Sequence, residues 1–133
     1  MSQWWICPWD NQVSIDDASV FGIDCSAINK NVYLIWWYGD RGEILYKDRF
    51  AIREPFTDFV PLIRYFNAFI SGAQHADEHP INLVQAKMVK LQMIDALFVL
   101  RQHQDAQRQQ HKNAVAQLAT VDEVANYNIT EGW

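Results

Sequence analysis

The sequence predicts an α+β protein in which a small antiparallel β region precedes a group of helices. We expect the β region at about residues 3–49, a short helix at about 59–71, a long helix at about 83–119 and a short C-terminal helix at about 121–127. Three observations support this fold class. They are a strand that is apolar on both faces, an apolar face at helical spacing, and a long stretch without glycine or proline.

The β prediction depends mainly on residues 31–49. Residues 32–38 are a β-prone apolar run, residues 39–42 form a glycine-containing turn, and residues 43–48 return as a second strand. Because neighbouring side chains of a strand point to opposite faces, both faces of the first strand are apolar. One face should pack on the core, and the other should be covered by the long helix or by another subunit. Shorter strands and turns are expected over residues 3–28.

The short helix follows a connector at residues 50–57. Asp58 is placed to cap it, Pro61 falls in its first turn, and Gly72 marks its end. One face of this helix is apolar at helical spacing. That face consists of Phe59, Leu62, Ile63, Phe66, Phe69 and Ile70.

The long helix is predicted from residues 82–119, which contain neither glycine nor proline. Asn82 and Gln85 resemble a capping box at its start, and Thr120 with Glu123 forms a capping box for the next helix. An unbroken helix of this length would extend roughly 57 Å. Such a helix would be longer than a compact chain of this size, whose radius of gyration is about 14 Å, so it must either bend back on itself or project and contact another chain. Because no glycine or proline is present to help it bend, we expect it to project.

The two halves of this long helix differ in composition. Residues 83–100 are apolar nearly all round, which predicts burial, whereas residues 101–113 are polar and rich in glutamine. We therefore assign residues 1–79 to a β-rich domain with one helix and residues 80–133 to a helical region. The polar half is the predicted contact with another chain.

Composition argues against several classes of function. The net charge of −5, without a lysine and arginine cluster, argues against a nucleic-acid partner. The longest apolar run, residues 91–100, is too short to span a membrane and contains Asp95. Residues 1–5 lack the basic start and apolar run of a signal peptide. Cys7 and Cys25 lack metal-site spacing, and we expect two buried thiols, although the sequence leaves open whether they are bonded.

The only candidate metal ligands lie in the loop of residues 75–79. His75 and His79 are four residues apart, with Asp77 and Glu78 between them. A small metal protein or enzyme is one reading of this pattern, but no third ligand is placed and no nucleophile is paired with a base. We expect no catalytic site, no metal and no cofactor.

The six tryptophans are several times the ordinary number for a chain of 133 residues. They are either the core of a small β domain or part of an interface, where aromatic residues are enriched. A terminal Trp133 is expected to dock rather than to lie free in water. We predict eight partner-binding residues in the tryptophan-rich segments and in the polar half of the long helix. They are Trp4, Trp5, Trp36, Trp37, Arg101, His103, Arg108 and Trp133.

The C-terminal region contains several short motifs that occur together. They are residues 80–91, 100–104 and 112–115, the segment Thr120-Val121-Asp122-Glu123-Val124 and the closing Gly132-Trp133. This combination resembles a family of small bacteriophage tail proteins. Proteins of that family are encoded near tail-fibre genes, and their shared C-terminal domain has no assigned function. Weaker similarity to relatives is found in residues 42–46 and 53–56. This chain departs from the family because relatives usually carry a β-rich insertion between the two helical segments, which are joined directly here.

The resemblance implies a role in the virion tail or in tail-fibre assembly, and it brings no catalytic residues. The expected function is a structural component of the tail, such as a baseplate or fibre-attachment protein, located in the virion and in the host cytoplasm during assembly. Its expected partners are other tail or tail-fibre proteins. A homotrimer is also suggested, since tail fibres are commonly threefold. The alternative is a tail-fibre assembly chaperone that is not retained in the virion.

Overall fold

The structure is a computed structural model that describes residues 3–133. Within these residues the chain forms a six-stranded antiparallel sheet with four α-helices packed on one of its faces. The strands are β1 (Trp4–Cys7), β2 (Gln12–Ile15), β3 (Ala18–Val20), β4 (Val32–Trp37), β5 (Gly42–Tyr46) and β6 (Arg53–Phe56). The helices are α1 (Ile63–Ala73), α2 (Leu83–Leu100), α3 (Asp105–Ala116) and α4 (Val121–Asn126). This arrangement confirms the predicted α+β class.

The N-terminal strand lies in the middle of the sheet, whose strand order is β3-β2-β1-β4-β5-β6. The β1–β4 register places Trp4 beside Trp37 and Trp5 beside Trp36. The sheet also extends beyond residue 49, because β6 pairs with β5. The prediction of a connector at residues 50–57 was therefore wrong for β6. Pro55 is compatible with a strand at the edge, where its missing N–H breaks no ladder hydrogen bond.

An aromatic core joins the sheet to the helices. The ring of Trp37 lies 4.8 Å from that of Phe59, and Trp4 lies 4.8 Å from Phe66. Residues of both predicted regions, 1–79 and 80–133, contribute to this one hydrophobic cluster. The helix α1 contacts β2 and β3, while α4 contacts α1 and α2.

The two cysteines are buried, as the sequence predicted, and the structure shows them unbonded. Burial is the main cause that raises the pKa of the Cys7 thiol and that of the Cys25 thiol. A thiol is reactive as the thiolate, so both side chains act here as small apolar groups.

The predicted continuous helix over residues 83–119 was wrong. The helix α2 ends at Leu100, and α3 folds back along it as an antiparallel hairpin. Asp95 Oδ1 accepts a hydrogen bond from Arg108 Nε at 2.9 Å and forms an ion pair with Lys112 Nζ, also at 2.9 Å. Further from the turn, Lys87 Nζ donates to the Ala116 carbonyl at 2.9 Å. The polar half of the predicted helix therefore does not project from the domain.

The reversal at residues 101–104 uses a left-handed turn without glycine. Gln102 and His103 both have φ of 60°. The His103 amide donates to the Phe98 carbonyl at 3.0 Å, which is the six-residue closure of a Schellman motif. The His103 ring lies edge-on to the Phe98 ring at 4.8 Å, which supplies the apolar contact typical of that motif. The left-handed conformation costs about 1–2 kcal/mol per non-glycine residue, and burial of His111 and Val115 on α3 offsets it.

Other local signals were read correctly at the starts of α2 and α4. The Asn82 side chain accepts from the Gln85 amide, and the Gln85 side chain accepts from the Asn82 amide, so the capping box is present in both directions. Thr120 Oγ1 accepts from the Glu123 amide at 3.1 Å at the start of α4. The Asp58 cap and the Gly72 stop were wrong: Asp58 accepts from the Val60 amide ahead of a short 3-10 turn at Val60–Leu62, while α1 begins at Ile63 without a side-chain cap and continues through Gly72 to Ala73.

Gln102→Gly is expected to raise the free energy of unfolding by about 1 kcal/mol, because glycine adopts positive φ without steric cost. Chemical denaturation of the purified protein measures this. The matched control is Gln110→Gly at an exposed position of α3. This change should lower the free energy of unfolding by about 1 kcal/mol, because glycine is unfavourable inside a helix. Equal effects of the two changes would mean that residue 102 is not held in the left-handed region.

Candidate interaction surface

One face of the sheet carries apolar side chains that the helices do not cover. Trp5, Leu34, Trp36 and Leu45 alternate along their strands with core residues, so they point away from the helices. In the described part of the chain, these four residues lie outside the hydrophobic cluster that the helices form with the sheet. We call this surface, defined by these four residues, the outer face.

The outer face is unusual in its chemistry. An antiparallel sheet with one face towards solvent normally shows polar residues there. Here two tryptophans and two leucines occupy the centre, with Trp5, Leu34 and Trp36 half-buried and Leu45 9% exposed. Polar residues lie towards the two edges, with Ser14 and Ser19 joined by a 2.7 Å hydrogen bond on one side. Contiguous apolar surface of this kind marks an interaction site more often than a scattered exposed residue does.

On the other side of the outer face, charged groups are organised around Trp36. The guanidinium of Arg53 lies 4.5 Å from the centre of the Trp36 ring. Arg53 also approaches Glu43 at 3.8 Å, and the Tyr38 hydroxyl donates to Glu43 at 2.8 Å. Burial, followed by the hydrogen bond to Glu43, raises the pKa of Tyr38. A cation–π contact at a surface site contributes about 0.5–1 kcal/mol, so this contact helps to orient Arg53.

A group of exposed rings extends this surface at one end of the sheet. The Trp9 ring stacks on Tyr33 at 5.7 Å, and Phe50 meets Tyr33 edge-on at 5.2 Å. Trp9 is 55% exposed and Phe50 is 60% exposed. We call Trp9, Tyr33 and Phe50 the aromatic cluster. Tyr33 lies between Val32 and Leu34, where the pairing of β4 with β5 shifts register, so the aromatic cluster lies at this end of the sheet.

The predicted tryptophan contacts are therefore divided between the two faces. Trp5 and Trp36 lie on the outer face, as a partner-binding role requires. Trp4 and Trp37 are each only 3% exposed and belong to the core instead. Alternation along a strand forces this division, because adjacent residues cannot point to the same face. The aromatic cluster was missed, since its three members come from separate segments and are joined only by the fold.

Three of the other predicted contact residues, Arg101, His103 and Arg108, lie at or near the turn between α2 and α3. The guanidinium of Arg108 lies 4.6 Å from the Phe98 ring, whose edge His103 also contacts. Among residues 3–133, Nε of Arg101 is buried without a hydrogen-bond partner. Arg108 also donates a hydrogen bond to Asp95, so its charge is paired within the hairpin. This turn exposes the side chain of His103.

The C-terminal segment is held against α3 by a buried histidine. The Nε2 atom of His111 lies 2.7 Å from the Glu131 carbonyl, which only accepts, so Nε2 carries the proton. In the neutral ring Nδ1 then accepts from the Tyr127 hydroxyl at 2.9 Å. Trp133 stacks on His111 at 5.1 Å, and its indole Nε1 donates to the Ile129 carbonyl at 2.7 Å. Trp133 thus docks on its own chain, as the sequence predicted.

A buried lysine lies between the helices. Lys90 is fully buried and donates hydrogen bonds to Asn67 Oδ1 on α1 and, at 3.3 Å, to the Ala125 carbonyl on α4. Burial lowers the pKa of its ammonium from 10.5 to about 8. No carboxylate appears among the hydrogen-bond partners that the structure gives this ammonium within residues 3–133. The lysine therefore links three helices through neutral acceptors and carries a desolvation cost while charged.

The histidine-containing loop forms an open cleft rather than a built site. Asp17, His75, Asp77 and Glu78 line a cleft of about 540 Å³ beside β3, and His79 Nδ1 lies 3.6 Å from Asp17. Among residues 3–133, no three histidine, cysteine or carboxylate side chains are grouped so that they could hold a metal ion. Nor is any helix in this part of the chain long and apolar enough to cross a membrane.

Comparison of the chain with protein-family models, with curated proteins and with solved structures found no match in any of the three.

Lys90→Met is expected to raise the free energy of unfolding at pH 7 by about 1–3 kcal/mol, because an apolar side chain of similar length removes a poorly compensated buried charge. Between pH 8 and 10.5 the unfolded wild-type chain binds more protons at this residue than the folded chain does, so this residue's contribution to stability rises with pH. The advantage of the variant should therefore shrink across that range. Urea denaturation at pH 7, 8.5 and 10 measures it.

The difference in stability between the wild type and Lys90→Met isolates the contribution of Lys90, because the tyrosines and thiols with raised pKa values are the same in both proteins. Lys87→Met is the control, because Lys87 lies on the same helix but is only half-buried. An advantage of the Lys90 variant that stays constant from pH 7 to pH 10 would contradict a lowered lysine pKa.

Proposed function

We propose that this protein is a structural component of a bacteriophage tail, acting in baseplate assembly or tail-fibre attachment through contacts with other protein chains. The observation that carries the proposal is the apolar outer face, which the helices do not cover and which has Trp5 and Trp36 at its centre. Such a surface is typical of a protein that completes its apolar packing with a partner. The resemblance of residues 80–133 to small tail proteins supplies the biological setting.

The charge and chemistry of the chain agree with a binding role. The outer face combines large rings with an arginine that stacks on Trp36, and tryptophan, tyrosine and arginine are the residues most enriched at energetic centres of interfaces. Both thiols are buried, and both ring nitrogens of His111 are engaged in hydrogen bonds. The proposal therefore assigns function to surface contacts and not to catalysis.

The test is quantitative mass spectrometry of purified phage particles that carry the gene. We expect the wild-type protein at a fixed ratio to known tail proteins. Trp36→Ser should reduce its recovery at least about 10-fold, because a central ring of an interface contributes about 2 kcal/mol or more. Soluble expression and thermal melting of the variant establish that it folds.

The matched control is Phe21→Ser. Phe21 is 62% exposed, but it lies beside α1 rather than on the outer face. Its substitution should leave recovery unchanged. Absence of the wild-type protein from finished particles, with its presence in assembly intermediates, would contradict a structural component and favour the assembly chaperone. Equal losses for both variants would contradict a role of the outer face.

A further inference from the structure

We propose that the free edge of β3, together with the groove between this strand and α1, binds an extended, basic segment of another protein, which adds to the sheet as a seventh strand. The groove lies at the edge of the sheet and not on the outer face, so this inference does not rest on the proposed function. Three features support it: the direction of the backbone groups at the edge, the shape of the groove and the charge of its lining.

The backbone of Ser19 is open to pairing at this edge. The Asp16 amide donates to the Gln3 carbonyl at 2.8 Å, and hydrogen-bonded pairs alternate along an antiparallel ladder, so Ser14 bonds to β1. The partner of Ser14 on its other side is Ser19, which therefore directs its N–H and C=O away from β2. The 2.7 Å contact between the two serine hydroxyls agrees, because side chains lie closest in a pair without backbone hydrogen bonds. An added segment can thus form two backbone hydrogen bonds with Ser19.

The opposite edge of the sheet is blocked, whereas the β3 edge is not. The same alternation, followed across β1, β4 and β5, makes Pro55 an outward-facing residue of β6, where it offers no N–H. Arg53 and Glu54 beside it add charge, and proline and charged residues are features that keep an edge strand from pairing. The strand β3, with the sequence Ala-Ser-Val, contains neither and is protected only by its shortness.

A groove follows the β3 edge between this strand and α1. It consists of two adjoining clefts, of about 540 Å³ and about 460 Å³, which share Val20, Phe21 and Gly72 in their walls. The helix side is lined by small residues four apart, namely Ala68, Gly72 and Ala76, so no large side chain of this side fills the groove. Phe21 is 62% exposed. Since every second side chain of a strand points to the same side, alternate residues of an added segment can enter the groove and pack on Phe21.

The charge of the lining selects a basic segment. The larger cleft is lined by no lysine or arginine and by three carboxylates, those of Asp17, Asp77 and Glu78. His79 lies 3.6 Å from Asp17, and within residues 3–133 neither Asp77 nor Glu78 forms an ion pair. In the smaller cleft the charges of Asp24 and Arg64 balance.

The position of the carboxylates also gives the segment a direction. Asp17 directly precedes β3, so the acidic end of the groove is the end at which this strand begins. Antiparallel pairing is the more stable kind, and an antiparallel segment finishes where β3 begins. Basic side chains are therefore expected at the C-terminal end of the bound segment, with alternating apolar residues before them.

Fluorescence anisotropy with labelled synthetic peptides tests the occupant. The probes are hexapeptides in which valine, leucine or isoleucine alternates with threonine and two lysines close the chain. We expect at least one of them to bind the purified protein with a dissociation constant of about 10–500 µM, as a weak specific contact does. The same peptide ending in two glutamates should bind about 10-fold or more weakly, because like charges then meet at the acidic end. If no lysine peptide binds at about 1 mM, or if the glutamate peptide binds equally well, the proposal is wrong.

Two variants test the groove itself. Asp77→Lys should weaken binding of the lysine peptide about 10-fold or more, whereas Asp40→Lys, the same charge change in the exposed turn after β4, should leave it unchanged. Ser19→Pro should abolish binding while thermal melting shows a folded protein, because the amide hydrogen that it removes makes no ladder bond. Equal effects of the two lysine variants would rule out the acidic cleft as the site, and this comparison holds even if the proline variant does not fold.

Amide hydrogen exchange, measured by NMR, locates the added strand. The bound lysine peptide should slow exchange of the Ser19 amide about 10-fold or more and leave that of Arg53, at the opposite edge, unchanged. Binding without protection of Ser19 would overturn the proposal. A wild-type dimer that Ser19→Pro converts to a monomer would assign the edge to a second copy of this chain and would also contradict it.

Discussion

The pairing of two tryptophan dipeptides, Trp4-Trp5 on β1 and Trp36-Trp37 on β4, is the constraint on which the rest of the structure depends. Because adjacent residues on a strand face opposite ways, each dipeptide sends one ring to each side of the sheet. The inner rings meet Phe59 and Phe66 and so set where the helices lie. The outer rings give the outer face its apolar centre.

The register of this pairing is not set by the tryptophans themselves. A slip of one residue would exchange Trp4 with Trp5 without changing the hydrophobicity of either face. The neighbouring strand supplies the discrimination, since β2 alternates Val13, Ser14 and Ile15 with the serine on the outer side. Val13 is fully buried in the core, and Ser14 is hydrogen-bonded to Ser19. A slip of β2 would place that hydroxyl in the apolar core, at a cost of about 1–3 kcal/mol for an unpaired polar group.

Local signals in the sequence were sufficient for the fold class and for the starts of α2 and α4. Asn82 with Gln85, and Thr120 with Glu123, are short-range motifs whose chemistry is complete within four residues. The turn after α2 was not recognisable in this way. Gln102 and His103 take a conformation that glycine usually marks, and the contacts that stabilise it come from Asp95 and from α3. The sharp change in composition at residue 101 was the available signal, and it is explained by a reversal of the chain.

The candidate surface could be predicted only in part. The two-sided apolar pattern of β4 predicted that its second face also needs a cover, but it did not say which tryptophan belongs to which face. That assignment requires the register with β1, which is separated from β4 by two other strands in the sequence. For Arg101, His103 and Arg108 the expectation of an open contact depended on a projecting helix. Since the helix folds back, Arg108 already contacts Phe98 and Asp95, and His103 contacts Phe98.

The turn between α2 and α3 has a consequence for how this architecture can change in length. The contacts that hold the hairpin together, from Asp95 to Lys112 and from Lys87 to Ala116, lie along the helices and not in the turn itself. Gln102 and His103 are exposed, so extra residues inserted between them would leave those contacts in place. Each doubling of a loop adds only about 0.6 kcal/mol of closure entropy. A whole folded module can therefore be gained or lost at this position while the two-layer core keeps its packing.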